Sequence, residues 1–327
     1  MAVTVGTFNL NNLFSRFNFQ AQIENVPQSG GGISLEYNFL QSEDPLKFQI
    51  RTFMGQLVKG KEVSDTQEIA ARIKAMNVDV LAVQEVEHIE ILKAFNRDFL
   101  DGMYAEVVLV EGNDQRLIDV GVLSKLPIGA ITSFQAAVHP DAPEKRVFSR
   151  DLLRVEILNA SRKKKLFSLY NTHLKSAFVP FFEDQVSGQQ AANMRRQQQA
   201  EMIAELISAE ERPNSAFILT GDMNDTPDSP FLQPMYTADG LPLFNALTNP
   251  QETRPAKAET QGPGPQTTAW TYRHNPSGPQ PPEFHLIDQI WLSDALKDKW
   301  MAAHIDRRSK HGGDGSDHDP AWIVLDL

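Results

Sequence analysis

The chain contains no cysteine, which excludes disulfides, thiolate metal sites and cysteine nucleophiles. Any metal must therefore sit on oxygen and nitrogen ligands, a set suited to Mg²⁺, Mn²⁺ or Ca²⁺ rather than to structural zinc. The sequence lacks an apolar run long enough to span a bilayer. It also lacks a basic and apolar leader before its first strand-like stretch, so a cytoplasmic protein is expected as written, or a secreted or periplasmic one if the chain is a trimmed mature form. There is no excess of positive charge: 31 Lys and Arg stand against 42 Asp and Glu, a net −11. That balance argues against a protein coating duplex nucleic acid through a broad basic face. It leaves room for an enzyme that touches a few phosphates through a cation and one or two basic side chains. Walker A, HExxH and GxSxG motifs are absent. The stretch Asp314–Asp319 fails as an EF-hand loop, because Asp319 stands where glycine is required.

The chain is long enough, at 327 residues and 41% apolar, for one large α/β domain. Strand-like segments recur at Val3–Leu10, Val80–Gln84, Ala105–Val110, Asp119–Ser124, Leu152–Leu158, Leu166–His173, Ala216–Gly221, Ala269–Tyr272, Ile287–Leu292 and Ala321–Asp326. Several are continuous apolar runs, as strands buried on both faces require. Helical patterns lie between them: one after a capping-box-like Asp65 and Glu68, another over Gly188–Glu211. A single domain spanning 1–327 is expected. It carries an aromatic-rich insert at about 15–63 and a Pro- and Gly-rich surface loop at about 248–283. The basic run Arg162–Lys165 reads as a solvated hairpin turn, with a phosphate-guiding patch as the alternative.

Polar clusters follow the strands: Asn9, Asn11 and Asn12; Gln84 and Glu85; Asn171, His173 and Lys175; Asp222, Asn224 and Asp225; Asp288; and Ser316, Asp317, His318 and Asp319. Singly, each has a structural explanation. Asn9 and Asn11 fit turn residues and Asp222 and Asn224 fit Asx turns. His173 fits a satisfied core histidine, and Asp288 fits a buried acid with a structural partner. Six such clusters beyond strand ends, where ligands of α/β sheets gather, point to one site for a cation and a phosphate.

In order, T-F-N-L-N-N-L-F (7–14), Q-E-V-E (84–87), Y-N-T-H-L-K-S (170–176), G-D-M-N-D-T-P-D-S-P (221–230), I-D-Q-I-W (287–291) and S-D-H-D-P (316–320) resemble the endonuclease/exonuclease/phosphatase superfamily with the DNase I-like fold. The resemblance runs through nearly the whole chain. It implies an α/β (α+β) four-layer sandwich, two packed mixed β-sheets flanked by helices, with the site at one end. It further implies Glu85 as the main metal ligand, assisted by Asn9, Asn11 and Asp317. Asp222 and Asn224 would align the attacking water and contact the phosphate. His318, with Asp288 as its carboxylate partner, would lie beside the scissile phosphate, and His173 would bind a phosphate oxygen. Arg150 is a candidate phosphate-binding arginine, with a surface salt bridge as the alternative. Asn11 departs from the acid found there in many relatives, which removes a negative charge near the cation.

The activity so implied is divalent-metal-dependent hydrolysis of a phosphoester, with Mg²⁺, Mn²⁺ or Ca²⁺ as cofactor. The sequence leaves the general base open between Asp222 and His318. A nuclease is the first reading of the substrate. A phospholipid or small-molecule phosphodiesterase or phosphatase is the second, and a catalytically inactive binding module the third. The inositol-phosphatase forms of the later motifs do not match G-D-M-N-D-T or L-I-D-Q-I-W. The 15–63 aromatics fit either a stacking wall for bases or a small core that closes the sandwich end. Phe178–Phe182 fits burial, a site wall or a lipid contact. No protein partner is called for, and a monomer is expected.

Overall fold

A computed structural model describes residues 2–14, 61–114, 116–177, 179, 184–236, 242–259, 262–276, 278–311 and 313–327. The expectations for the aromatics of the insert and for Phe178 and Pro180–Phe182 lie outside these residues. In chain order the elements begin with β1 (Ala2–Leu13), α1 (Val63–Met76), β2 (Val80–Val86), α2 (Ile89–Asp98), β3 (Glu106–Leu109), β4 (Asp119–Ser124), β5 (Ile128–Ser133), β6 (Val138–His139), β7 (Ala142–Arg146), β8 (Leu152–Leu158) and β9 (Lys165–His173). They continue with α3 (Gln185–Glu210), β10 (Phe217–Asp222), α4 (Gln233–Tyr236), β11 (Leu243–Asn245), β12 (Gln251–Glu252), β13 (Tyr272–His274), β14 (Glu283–His285), β15 (Asp288–Ser293), α5 (Asp294–Lys297), β16 (Trp300–Ile305) and β17 (Ala321–Asp326).

Two mixed sheets form the body. One runs β12-β16-β17-β1-β2-β4-β3 and the other β11-β15-β10-β9-β8-β5. Because side chains alternate along a strand, each sheet has two faces to cover. Val5, Val80 and Val122 from the first sheet meet Val155, Leu169, Ile218 and Ile290 from the second in a central core. The outer face of the first sheet, with Phe8, Leu81 and Val83, is covered by Ile69, Ile73 and Met76 of α1 and by Leu92 and Phe95 of α2. The outer face of the second, with Tyr170, Phe217 and Leu219, is covered by Ala200, Ile203 and Ile207 of α3 and by Met235 of α4. Helix, sheet, sheet, helix: this is the four-layer sandwich. Strands buried on both faces explain the continuous apolar runs.

Nine of the ten expected strands are present; of the tenth, Ala269–Tyr272, only Tyr272 lies in a strand, β13. β5 and β16 were not expected. β16 carries His304 and an exposed Met301 in a weakly alternating pattern, and pairing with β17 makes it a strand. The capping box is corrected. α1 starts at Val63 with Glu62 at its N-cap and no side-chain cap, so Asp65 lies within the first turn. Its C-terminus is a left-handed Asn77 whose N–H bonds to Ile73 O, an arrangement asparagine tolerates. α3 starts three residues before the expected Gly188, capped by Asp184, whose Oδ1 accepts Ser187 N–H at 2.8 Å. The 248–283 loop contains β12 and β13 as short paired segments.

The Arg162–Lys165 run is a turn held by Asn159, whose Oδ1 accepts the N–H groups of Lys163 and Lys164. It leads into β9, whose first residue is Lys165, at the end away from His173, about 26 Å distant at ~3.3 Å per residue, so the phosphate-guiding alternative is not supported at the polar strand ends. Among the described residues, no helix is long and apolar enough to cross a membrane.

Candidate active site

Strand alternation decides what fills the space between the sheets. Along β10, Ile218, Thr220 and Asp222 point inward; along β9, Leu169, Asn171 and His173 do; along β15, Leu292, Ile290 and Asp288 do; along β1, Val5, Thr7 and Asn9 do. Each series starts aliphatic and ends polar. Halfway, Gln84 Nε2 donates to Thr7 Oγ1 (3.2 Å) and to Asn171 Oδ1 (2.8 Å). Asn171 Nδ2 donates to the carbonyls of Val83 (3.0 Å) and Gly121 (2.8 Å). This fully buried amide layer ties the sheets together and separates the core from what lies beyond.

Beyond it the strand ends converge. Asp222 pairs in register with Asp288 on one side and His173 on the other. Gly221 makes that approach possible. Its φ is +134°, and a Cβ there would lie 1.9 Å from Thr172 O, so only glycine fits. Irregular backbone then aims the remaining groups: Glu85 has φ +61° at a bulge between β2 and β4, and Asn11, Asn12 and Asn224 also have positive φ. Phe14 O accepts Lys61 N–H at 3.3 Å, so the two ends of the insert meet beside β1.

Asp222 is the centre. Its Oδ1 accepts the Asn224 N–H (2.8 Å) and its Oδ2 accepts Asn9 Nδ2 (2.9 Å). His173 Nε2 lies 3.4 Å and His318 Nε2 3.9 Å from Oδ2. Asn224 Nδ2 donates to Leu174 O at 3.1 Å. His318 Nδ1 bonds to Asp288 Oδ2 at 2.8 Å, and Asp288 N–H donates to Thr271 Oγ1 at 3.0 Å. Ser316 Oγ donates to Asn9 O at 2.7 Å and accepts the His318 N–H at 3.1 Å. Ser316 thus shapes the turn that presents His318.

Burial raises the pKa of Asp222 above the ordinary carboxylate range; His318 opposes and Asp288 reinforces that shift. Burial alone would lower His318, but Asp288, Asp317 and Asp222 together raise it well above the usual imidazole value. Burial, Arg150 and His318 push His173 well below it. The two histidines are therefore shifted in opposite directions. His173 Nδ1 and Asp288 Oδ1 are buried here without a hydrogen-bond partner among the described residues.

Glu85 stands at the more open edge. Its Oε2 accepts Asn12 N–H at 2.9 Å, while its Oε1 lies 3.4 Å from Asn9 Nδ2. Asn9 Oδ1 accepts Asn11 N–H at 2.9 Å. Asp317, its side chain 47% exposed, acts together with Glu85 on the Lys61 ammonium. Glu85, Asn11 and Asp317 offer hard oxygen donors with solvent access, which fits a divalent cation. Asp222, Asp288 and His318 also bring three ligand atoms within 4.8 Å of one another. There, however, Nδ1 and Asp288 already bind each other within the protein.

Arg150 is buried, not a surface salt bridge. Its Nε lies 3.1 Å from Asp114 Oδ2 without hydrogen-bond alignment, and Nη1 donates to Leu174 O at 3.3 Å. Sequence reasoning missed Lys61, whose Nζ donates to Gly315 O at 2.6 Å. It also missed Tyr272, whose ring centroid is 5.3 Å from that of His318. Lys61 lies at the end of the long insert with no motif around it. Tyr272 stood at the end of an expected strand, with nothing to mark its neighbour.

The sequence matches the model of the endonuclease/exonuclease/phosphatase family over residues 6–318. No curated protein matches it. Similar solved structures include an endonuclease/exonuclease/phosphatase from Bacteroides vulgatus, 16% identical with a TM-score of 0.58, covering 100% of this chain and 99% of that one. TDP2 from C. elegans is 16% identical with a TM-score of 0.55, covering 100% and 75%. A mannosyl-6-phosphatase from Bacteroides thetaiotaomicron VPI-5482 is 16% identical with a TM-score of 0.52, covering 99% and 100%. At such identities the likeness establishes the fold.

Proposed function

The chain belongs to the endonuclease/exonuclease/phosphatase family, whose members are phosphoesterases, and from that premise we propose that it is a divalent-metal-dependent phosphodiesterase, with nucleic acid as substrate. The observation that carries this reading is the opposed pair at the strand ends. A buried carboxylate, Asp222, is oriented by two N–H donors and faces a histidine whose other nitrogen is fixed by Asp288.

Phosphodiester hydrolysis needs a positioned water, a base for its proton, and charge compensation at the phosphoryl oxygens. Asp222 takes the proton: burial has made it more basic than an ordinary aspartate, and Asn9 and Asn224 hold its two oxygens in place. His318 is assigned a different task, because its neighbouring carboxylates favour its protonated form. Its Nε2–H instead donates to the phosphoryl group, and Asp288 maintains the ring's orientation through Nδ1. Water oxygen forms the new bond to phosphorus, and the leaving oxygen departs with the electron pair of the bond it breaks. His173, whose Nε2 lies 3.4 Å from Asp222 Oδ2, packs against the base. From that position it reaches a phosphate oxygen only if the ring turns away from Asp222. Asn224 and Arg150 are the phosphate-binding candidates. Glu85, with Asn9, Asn11 and Asp317, would hold Mg²⁺ or Mn²⁺, which when bound compensates phosphoryl charge.

A second reading, a small phosphoester as substrate, is favoured by the net charge of −11 and by the remoteness of the Arg162–Lys165 run from Asp222. Activity on bis(p-nitrophenyl) phosphate with Mg²⁺ or Mn²⁺, abolished by a chelator, tests the reaction. Inactivity under both metals contradicts it. Plasmid, single-stranded DNA, RNA, sphingomyelin and a sugar phosphate then separate the two substrates.

A further inference from the structure

The residue after His318 has no role in the chemistry above, yet its carboxylate meets three arginines. Asp319 is fully buried in its side chain. Its Oδ1 accepts Arg308 N–H at 3.1 Å, Arg308 Nε at 3.0 Å and Arg72 Nη2 at 3.3 Å, and its Oδ2 lies 3.4 Å from Arg307 Nη1. Three buried guanidinium groups meet on this one carboxylate and, with the Arg308 N–H, fill its acceptor positions, while Arg72 also bonds Asp306 and Arg307 also bonds Glu252. The same groups also reach both members of the histidine–aspartate pair. Arg72 Nη1 donates to the carbonyl of His318 itself at 3.3 Å. Asp319 N–H donates to Thr271 O at 2.8 Å, and Thr271 Oγ1 accepts the N–H of Asp288. Arg307 donates to Trp270 O and lies 3.8 Å over the Trp270 ring, fixing the segment whose next residues are Thr271 and Tyr272. Tyr272 in turn forms a backbone bridge with His318.

We propose that Asp319 is a positioning residue. Together with Arg72, Arg307 and Arg308, it locks the backbone around His318 and Asp288, so that the imidazole is presented in one orientation. The side-chain bond between His318 and Asp288 fixes only the ring's rotation; the arginine cluster fixes where its Cα and that of Asp288 stand. The geometry of the clamp is independent of what the site hydrolyses. Its kinetic consequence rests on the phosphodiesterase reading above.

Asp319→Asn keeps the shape and removes the charge, and is compared with His318→Ala and with the double variant. Two readouts keep the clamp and the reaction apart. The first needs no activity: the far-downfield proton of His318 Nδ1, identified by its loss in His318→Ala, is expected to shift or broaden in Asp319→Asn. The second uses bis(p-nitrophenyl) phosphate with Mn²⁺. Asp319→Asn is expected to lower kcat at least about tenfold with KM within about twofold, and to add less than about twofold to the loss in a His318→Ala background, as coupled residues do. If Asp319→Asn does not fold, Arg308→Gln goes through the same cycle. An unchanged Nδ1 proton with fully additive kcat losses would overturn the proposal. A shifted proton in a protein that shows no hydrolysis would leave the clamp standing and sink the phosphodiesterase reading.

Discussion

The two ends of the inter-sheet space are built by the same strands under the same rule, and they could hardly differ more. At one end Val5, Val80, Val122, Leu169, Ile218 and Leu292 interlock as an ordinary core. At the other, two or four residues further along the same faces, stand Asn9, Gln84, Asn171, His173, Asp222 and Asp288, all buried. Burial of aliphatic side chains contributes about 1.5–3 kcal/mol each. Burial of an acid costs free energy unless its partners are complete, and here Asp288 Oδ1 has none. The difference teaches that this fold stabilises itself at one end and tolerates an unfavourable arrangement at the other, which is where reactivity is found. The amide layer of Gln84 and Asn171 marks the boundary.

Several variants would break or sharpen that contrast. The largest effect is expected at the polar end: His318→Ala should lower kcat at least about a hundredfold, the scale of general acid–base loss, a loss far larger than any accompanying loss of folded protein. The aliphatic end should behave in the opposite way. Leu169→Ala is expected to cost about 2–5 kcal/mol of stability by leaving a cavity, seen as a lower denaturant midpoint, while the folded fraction retains normal kcat. At the open edge, Glu85→Gln should weaken Mn²⁺ binding at least about tenfold, comparable to losses at metal sites, measured by calorimetry without substrate. Unchanged metal affinity would remove Glu85 from the ligand set.

The smallest effect concerns acids flanking the polar end. Burial pushes Asp119 up to about 7 and Asp151 up to about 6. A carboxyl whose folded pKa is raised contributes stability below its unfolded value of about 4, and that contribution is lost as pH rises through the folded value. The protein should therefore lose stability between about pH 4 and pH 7 from this source. Asp119→Asn, which keeps an oxygen to accept the Gly112 N–H, should flatten the slope.

How much of this was legible beforehand depends on the range of the interactions. Periodicity exposed β1, β9, β10 and β15 because each buries both faces and so cannot alternate. It missed α2, whose ten residues bury only Leu92, Phe95 and Asn96 and whose cap is a histidine, His88. The motif residues Asn9, Glu85, His173, Asp222, Asn224, Asp288, Asp317 and His318 could be read because strand ends carry them in order, and the structure brings them together. Arg150, a guess from position alone, lies near the same end but buried against Asp114. The arginines around Asp319 could not be read at all. They come from α1 and from the segment after β16, at sequence separations of 247 and of 11 and 12 residues, and only the packed sandwich makes them neighbours.

The most direct test of the contrast between the two ends is to measure turnover and thermal stability together in purified Asp222→Asn. The amide keeps the shape and removes the buried charge. The account predicts a loss of turnover of at least about a hundredfold with a melting temperature equal to or above that of the wild type. Near-normal turnover, or a loss of activity that merely follows a loss of folded protein, would contradict it.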